Sequence, residues 1–384
     1  MERLYDKLKA YSESDFYAFH MPGHKRNKAL LGIELPYDLD ITEIDGFDDL
    51  HHADGILKEE QERAARVFGA EESHFLVNGS TAGILSAVMG CTHRGDKILV
   101  ARHCHKSIYH AIYMNGLVPR YVYPEFDISM HMNGEISKED VAKALAAEPD
   151  IKAVVIVSPN YDGVVSDVKG IAEVAHSYRI PLIVDEAHGP HFGFHPAFPG
   201  RANDLGADVV INSLHKTLPS LTQTAILHIN GKFANRRRIK KYLDMLQSSS
   251  PSYIFMASLD ACVDFLDGKC EEAFELYVER LQKFREELEP LQHLQILRTE
   301  HYDISKVVIS TANANITSPE LAERLRKEYH LEMEMTGGTY VLAMTTVADT
   351  QEGLDRLKLR TGNRRQRKTK TAVSGSIRDF RRAS

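Results

Sequence analysis

Short apolar segments alternate with amphipathic segments through the middle of the sequence. DKILVAR, KAVVIVSP and PLIVDEA are typical of buried strands, and SKEDVAKALAAEP and KGIAEVAHSYR between them are typical of helices. Strands that alternate with helices of about 10–15 residues build βαβ units, in which the strands run parallel. We therefore predict an α/β fold with a mostly parallel central sheet.

The length of 384 residues is suited to two domains, and the composition changes along the chain. Residues 1–55 are rich in Pro, Gly, His and Asp, which indicates an irregular arm that starts with a short helix. We expect a major domain over residues 56–255, with a helical stretch at 232–247 near its end. A second helical stretch over 253–290 would cross to a small α+β domain, so that residues 256–358 form the linking helix and that domain. Residues 359–384 are basic and lack apolar periodicity, and we expect a disordered tail there.

The net charge is −7, but residues 360–384 carry nine Lys and Arg against one acid, which leaves about −15 on residues 1–359. An acidic body argues against a nucleic-acid partner and is suited to a cationic small molecule. No apolar run is long enough to span a membrane, and the N-terminus lacks a secretory signal. The four cysteines show no pairing pattern, so we expect a reducing, cytoplasmic compartment.

One helix start offers a place for an anion. NGST follows the predicted strand SHFLV and opens a helix of small residues, AGILSAVMGCT. The backbone N–H groups at a helix N-terminus, with the hydroxyls of Ser80 and Thr81, form a site for a phosphate. An ordinary turn with a helix cap explains the same four residues, so this segment alone does not decide between the two.

Other polar residues follow strands of the same predicted sheet. Asp185 comes after four apolar residues in PLIVDEAH, Lys216 follows ADVVI, and His105 follows DKILVAR. In a parallel sheet, ligands bind outside the carboxyl ends of the strands. Pyridoxal 5′-phosphate needs a carboxylate at its pyridine nitrogen, a lysine at its aldehyde and an anion site for its phosphate. The combination predicts this cofactor, with His105 placed to stack on its ring.

Several longer segments resemble the major domain of the bacterial ornithine/lysine/arginine decarboxylases, which have the aspartate-aminotransferase-like fold. The resemblance covers roughly residues 15–355 and rests on FHMPGHKRN, DDLHHADG, FLVNGSTAGI, HCHKSIYHA, VDEAHGPHFGFH and SLHKTLPSLTQTAIL. It implies a pyridoxal-phosphate-dependent transferase-like fold and decarboxylation of arginine, lysine or ornithine to the matching amine and CO2.

The resemblance also implies roles for individual residues. Lys216 would be the Schiff-base lysine, Asp185 the partner of the pyridine nitrogen and His105 the residue stacked on the ring. The phosphate would be held near Gly79 by a group of hydroxyl and imidazole side chains: Ser80, Thr81, Ser213 and His215. His188 would lie near the edge of the cofactor. Lys216 or His215 would return a proton to the substrate.

The resemblance further implies a homodimer with shared active sites. The acidic segment with Asp45, Asp48 and Asp49 is similar to one that reaches a neighbouring subunit's site. The family continues into a longer C-terminal domain, whereas similar sequence here ends near residue 358. We therefore expect a truncated C-terminal domain, with the basic tail arising from truncation or a change of reading frame.

Other functions remain to be weighed against this one. Transamination or β-elimination on the same fold is the main alternative, followed by a truncated protein that binds the cofactor without turnover. VDEAH also matches the acidic box of DEAH-type helicases, but the GxxxxGK[ST] phosphate loop that such an ATPase needs is missing from the sequence. The histidine pairs His51/His52, His103/His105 and His188/His191 lack a metal-binding spacing, so we expect no metal.

Overall fold

A seven-stranded sheet forms the centre of the computed structural model, which describes residues 2–30, 32–128, 131–289, 293–297 and 300–362. The strand order is β1-β9-β8-β7-β6-β2-β3. Strands β3, β2, β6, β7 and β8 are parallel, and β9 runs antiparallel to both of its neighbours, β8 and β1. The prediction of a mostly parallel α/β sheet is confirmed.

The strands of this sheet are short and largely buried. They are β1 (Glu72–Leu76), β2 (Lys97–Ala101), β3 (Val118–Val122), β6 (Ile151–Val157), β7 (Leu182–Asp185), β8 (Val209–Asn212) and β9 (Ala225–Ile229). The surrounding helices are α2 (Ile56–Val67), α3 (Gly79–Cys91), α4 (Lys106–Asn115), α5 (Lys138–Ala147), α6 (Val168–Ser177), the one-turn α7 (Leu214–Thr217) and α8 (Arg236–Leu246).

Both faces of the sheet are covered by helices, which explains why its strands are apolar on both sides. Ile98 and Val100 on β2 belong to one core, shared with α3, α4 and α8. Leu99 and Ala101 on the same strand belong to a second core, shared with α5 and α6. Side chains alternate across a strand, so a strand buried on both faces has a continuous apolar sequence.

A second, antiparallel sheet has the strand order β10-β11-β13-β12. Its strands are β10 (Gln295–Ile296), β11 (Lys306–Ser310), β12 (Met335–Thr336) and β13 (Tyr340–Met344). Helices α10 (Glu271–Leu288), α11 (Ser318–Tyr329) and α12 (Gln351–Gly362) accompany it. Strands β4 (Phe126–Asp127) and β5 (Met132–Asn133) form a separate two-stranded antiparallel sheet, and Met132 packs against the second sheet.

The N-terminal segment has little regular structure beyond α1 (Leu4–Ser12) and two short 3-10 turns, Lys28–Leu30 and Leu50–His52. Helix α1 packs on α9 (Tyr253–Leu266). Arg3 joins the two helices, since its Nε lies 3.0 Å from Oδ1 of Asp260. The irregular arm is therefore anchored at its start.

The helical stretch expected over 253–290 consists of two helices, α9 and α10. Helix α9 ends at Leu266, and Gly268 has a φ of +78°, a conformation that favours glycine and breaks the helix. The expected domain boundary at 255/256 lies within α9 and stays a prediction. At the C-terminus, residues 359–362 belong to α12, and the rest of the expected tail lies outside the described residues.

In the described ranges, every helix is too short or too polar to cross a bilayer.

Candidate active site

A cavity of about 440 Å³ opens at the carboxyl ends of the parallel strands. The loops that follow β1, β2, β6, β7 and β8 supply most of its walls, and the second sheet supplies the rest. Its lining consists of Ser80, His103, His105, Val157, Pro159, Tyr161, Asp185, Ala187, His188, His215, Lys216, Glu334 and Met344. A concave site with several converging polar groups at this edge is the usual ligand position in such folds.

Lys216 projects into this cavity from α7, the single turn that follows β8. Its Nζ lies 2.9 Å from Nε2 of His188. Burial lowers the pKa of Lys216, against the opposing attraction of Asp185 and Glu334. A lysine with a lowered pKa spends more time as the neutral amine, which is the form that attacks a carbonyl.

Asp185 is the last residue of β7 and is only 3% exposed. The described residues give its side chain one hydrogen bond, from the backbone N–H of Ala187 at 3.2 Å. Burial raises the pKa of Asp185 to about 6, although Lys216 and the Ala187 N–H act in the opposite direction. A buried carboxylate with so few partners is suited to a cationic ligand group such as a protonated pyridine nitrogen.

Histidines form two walls of the cavity. His105 is the N-cap of α4, where its Nδ1 accepts a hydrogen bond from the backbone N–H of Ser107. Burial, together with Lys216, lowers the pKa of His105. Burial also holds the pKa of His188 well below its ordinary value, and its Nε2 shares a hydrogen bond with Nζ of Lys216. The Nδ1 atom of His188 has no hydrogen-bond partner among the described residues.

The N-terminus of α3 lies at the same edge and can receive an anion. Asn78 occupies the N-cap position without a side-chain hydrogen bond to the helix, so the first N–H groups remain uncapped. Gly79 has a φ of +72°, and the nearest atom to the position of an added Cβ is a backbone oxygen 3.9 Å away. Ser80 lines the cavity, whereas Thr81 is exposed beside it.

Two of the residues predicted to hold the phosphate, Ser213 and His215, follow β8. Ser213 is fully buried, and its Oγ has no partner in the part of the chain that the structure describes. His215 is fixed by a 3.0 Å hydrogen bond between its Nδ1 and the carbonyl of Thr224. An unpaired buried hydroxyl at the end of β8 and an uncapped helix start after β1 fit a phosphate group at this edge of the sheet. The residues present therefore fit pyridoxal 5′-phosphate.

The structure brings most of the predicted site residues into one place. Lys216, Asp185, His105, His188, His215 and Ser80 line the cavity, and Gly79, Thr81 and Ser213 adjoin them in sequence. Their individual roles stay predictions. His188 contacts Lys216 directly, which the sequence did not reveal.

Two of the three acidic arm residues, Asp48 and Asp49, accept hydrogen bonds within their own chain. The Asp48 carboxylate accepts hydrogen bonds from the N–H groups of Gly55 and Leu57, both at 2.9 Å. Asp49 accepts one from the His51 N–H at 2.9 Å. Asp45 is exposed. A contact with a neighbouring subunit thus stays a prediction.

Two of the histidines considered as metal ligands, His191 and His51, have other partners. His191 is buried between Oγ1 of Thr217, at 3.0 Å, and Oδ1 of Asp303, at 3.1 Å. His51 pairs with the carbonyl of Ser248 at 2.8 Å. Over the described ranges, no group of three or more potential ligands has an arrangement that would hold a metal ion.

Tyr161 and Glu334 are among the cavity residues that sequence reasoning missed. The Tyr161 hydroxyl donates a hydrogen bond to Oε1 of Glu334. Tyr161 follows β6, so the rule that ligands bind at the carboxyl ends of parallel strands could have identified it. Glu334 directly precedes β12 of the second sheet, and the local sequence pattern gave no indication that it reaches this cavity.

The chain is similar in sequence to the arginine decarboxylase of Bacillus subtilis. The two are 34% identical over 369 residues, which cover 92% of this chain and 75% of the relative. The lysine decarboxylase of Pseudomonas aeruginosa is 29% identical over 286 residues, which cover 66% of this chain and 38% of that protein.

The fold is similar to that of the constitutive lysine decarboxylase of Escherichia coli, with a TM-score of 0.80 and 22% identity. The match covers 93% of this chain but only 59% of that one, so the chain spans less than two thirds of the solved relative. At this level of identity, the likeness establishes the fold. The family model "Orn/Lys/Arg decarboxylase, major domain" matches residues 3–315. The chain therefore belongs to the Orn/Lys/Arg decarboxylase family.

Proposed function

We propose that this protein uses pyridoxal 5′-phosphate to decarboxylate a basic amino acid, releasing CO2 and the corresponding amine. The observation that carries the proposal is that Lys216 and Asp185 line one cavity at the carboxyl edge of the parallel sheet. The uncapped start of α3 lies at that edge as well. Membership of the family supports both the cofactor and the substrate class.

Each group has a task that follows from its surroundings. Bound in this cavity, the cofactor would supply an electron sink for the bond that breaks when CO2 leaves. Asp185 would hold the pyridine nitrogen in its protonated form, because a buried carboxylate is stabilised by a neighbouring cation. The α3 N-terminus, Ser80 and Ser213 would hold the phosphate, and His105 would cover one face of the ring.

Lys216 is placed both to bind the cofactor covalently and to move a proton. Its Nζ shares a hydrogen bond with Nε2 of His188, whose pKa is held well below its ordinary value by burial. After CO2 has left, Lys216 in its protonated ammonium form would return a proton to the substrate Cα and become the neutral amine again. His215 is the other candidate for this task, although its Nδ1 is engaged with the carbonyl of Thr224.

We also propose a homodimer. Large apolar side chains are exposed along the N-terminal arm, among them Phe16 at 69%, Phe19 at 90% and Leu30 at 75%. An apolar patch of this kind is typical of an interface. Sedimentation of the cofactor-loaded protein would test this part of the proposal, and a monomer at micromolar concentration would contradict it.

The activity is tested by loading the full chain with pyridoxal 5′-phosphate and incubating it with arginine, lysine or ornithine. We expect CO2 and the matching amine from at least one of them, and none from neutral norleucine. Formation of a keto acid without CO2 would favour transamination instead. Cofactor binding without any product would indicate a binding protein without turnover.

A further inference from the structure

The distribution of charge in the cavity leaves one carboxylate unassigned. Among the described residues that line it, the carboxylates are Asp185 and Glu334. Asp185 is buried at the floor, where the pyridine nitrogen would use it. The amino acids proposed as substrates carry a second cation at the far end of the side chain, and that cation needs an acidic partner.

Glu334 is held firmly at the rim of the cavity by the second sheet. Its backbone N–H donates to the carbonyl of Leu342 at 2.9 Å, just before β12 pairs with β13. Tyr161 donates a hydrogen bond to one of its carboxylate oxygens. The side chain is exposed rather than buried, so it remains open to a ligand that enters from solvent.

Tyr161 connects this carboxylate, through His188, to the reactive lysine. The ring of Tyr161 packs edge-on against His188, with centroids 4.8 Å apart and an interplanar angle of 60°. His188 in turn contacts Nζ of Lys216 at 2.9 Å. Lys216, His188, Tyr161 and Glu334 thus form a continuous line of contacts along one wall, from the reactive amine to the rim.

We propose that Glu334, oriented by Tyr161, binds the distal ammonium or guanidinium group of the substrate and makes the site selective for basic amino acids. This inference rests on the proposed function, because it assumes that the substrate's α-amino group is bound at the Lys216 end. The substrate would then lie along the wall, with one charged group at each end.

A simpler explanation is that the Tyr161–Glu334 pair only joins the two sheets. The neighbouring hydrogen bond from the Tyr340 hydroxyl to Oδ1 of Asp162, at 2.6 Å, joins the same loop to β13 without lining the cavity. Tyr340→Phe is therefore a matched control. It removes one hydroxyl that joins the sheets and leaves the rim carboxylate in place.

The test is a titration of the cofactor-loaded full chain with arginine, lysine, ornithine and norleucine, followed by the visible spectrum of the cofactor. Norleucine has the carbon skeleton of lysine without the distal ammonium. Glu334→Gln should weaken the binding of the preferred basic amino acid roughly ten- to hundredfold, the usual effect of losing a charge-assisted hydrogen bond. Norleucine binding should be unchanged. Tyr161→Phe should act in the same direction with a smaller effect.

Several results would overturn the inference. These are equal weakening of basic and neutral ligands by Glu334→Gln, no weakening at all, or a loss of selectivity in Tyr340→Phe as large as that in Glu334→Gln. Failure of the proposed function gives a different result, namely selective binding of basic ligands without CO2 release. If the chain does not take up the cofactor, calorimetry with the same amino acids measures the same selectivity without it.

Discussion

Asp185 and Asp208 are buried carboxylates at opposite edges of the same sheet, and they differ in the hydrogen bonds that they accept. Asp208 directly precedes β8, and its side chain accepts hydrogen bonds from His176 Nε2 at 2.8 Å and from the Leu182 N–H at 2.9 Å. Asp185 ends the adjacent strand β7, and the described residues give its carboxylate only the 3.2 Å bond from Ala187. The two side chains are 2% and 3% exposed.

This difference in hydrogen bonding indicates that a ligand binds at the carboxyl edge of the sheet. At the amino edge, the polar groups around Asp208 satisfy one another and stabilise the fold. At the carboxyl edge, Ser213 Oγ, His188 Nδ1 and His103 Nδ1 are all buried without a partner among the described residues. Buried polar groups without partners destabilise a fold unless something binds them. We infer that these unpaired polar groups lower the stability of the cofactor-free protein and gain partners when the cofactor binds.

The largest effect is expected from Lys216→Ala. Without this amine the cofactor has no covalent anchor at the edge, so CO2 release should fall to the background rate. The visible absorbance band of the lysine-bound cofactor should disappear as well. Lys241→Ala, at an exposed position on α8, is the control and should retain both properties. Persistence of the band in Lys216→Ala would contradict the assignment.

Asp185→Asn should reduce turnover by roughly 10²–10³-fold, the usual effect of losing one well-placed electrostatic group. The amide keeps the shape of the side chain but cannot stabilise a protonated pyridine nitrogen. The measurement is the rate of CO2 release at saturating cofactor and substrate. Asp208→Asn, at the amino edge, should leave the turnover per folded molecule unchanged, and an equal loss in both variants would remove the distinction between the edges.

Without cofactor, Asp185→Asn should stabilise the protein at pH 8. The raised pKa of Asp185, about 6 against an ordinary 3.8, means that the folded state binds the extra proton between these two values. The stability contributed by the protonated carboxyl is complete below about pH 4 and is lost as the pH rises through 6. The asparagine variant avoids this loss, so we expect a gain of about 3 kcal/mol at pH 8 that vanishes below about pH 4. Urea denaturation at both pH values measures it.

Burial raises the pKa of Asp208 too, but the hydrogen bonds from the Leu182 N–H and His176 Nε2 act in the opposite direction. Losing these bonds should cost about 1–3 kcal/mol, so Asp208→Asn should gain less stability at pH 8 than Asp185→Asn, or lose stability. Equal stabilisation of the two variants at pH 8 would show that the two carboxylates are equivalent.

The smallest effect is expected from Ser213→Ala. Removing a buried hydroxyl that has no protein partner should leave the stability of the cofactor-free protein unchanged or raise it by about 1 kcal/mol. It should also weaken cofactor binding. Ser86→Ala is the matched control, since Ser86 Oγ is likewise buried and unpaired among the described residues but belongs to the interior of α3. Equal cofactor affinity in the two variants would exclude Ser213 from the phosphate site.

The part of the site that the sequence could predict follows from one rule, that ligands bind at the carboxyl ends of parallel strands. Asp185 ends one fully buried strand and Lys216 follows another, and the carboxyl ends of parallel strands meet at one edge whatever their order in the sheet. Buried strands have a continuous apolar sequence, so both positions could be found without knowing that the order is β1-β9-β8-β7-β6-β2-β3.

The features that the sequence did not predict depend on contacts between distant segments. Glu334 reaches the cavity because the second sheet packs beside the loop that follows β6, where Tyr161 contacts it. The contact between His188 and Lys216 depends on how the loop after β7 folds back. The break between α9 and α10 is different, since Asp267 and Gly268 gave a local turn signal that the helical pattern on either side concealed.

The central claim is that Lys216 is the residue that binds the cofactor covalently at the carboxyl edge. The most direct test is to load the protein with pyridoxal 5′-phosphate, reduce it with borohydride and locate the added mass in a peptide digest. We predict that the modification lies on Lys216 and is absent from the Lys216→Ala variant. Modification of a different lysine, such as the buried Lys306, or of none, would contradict the account.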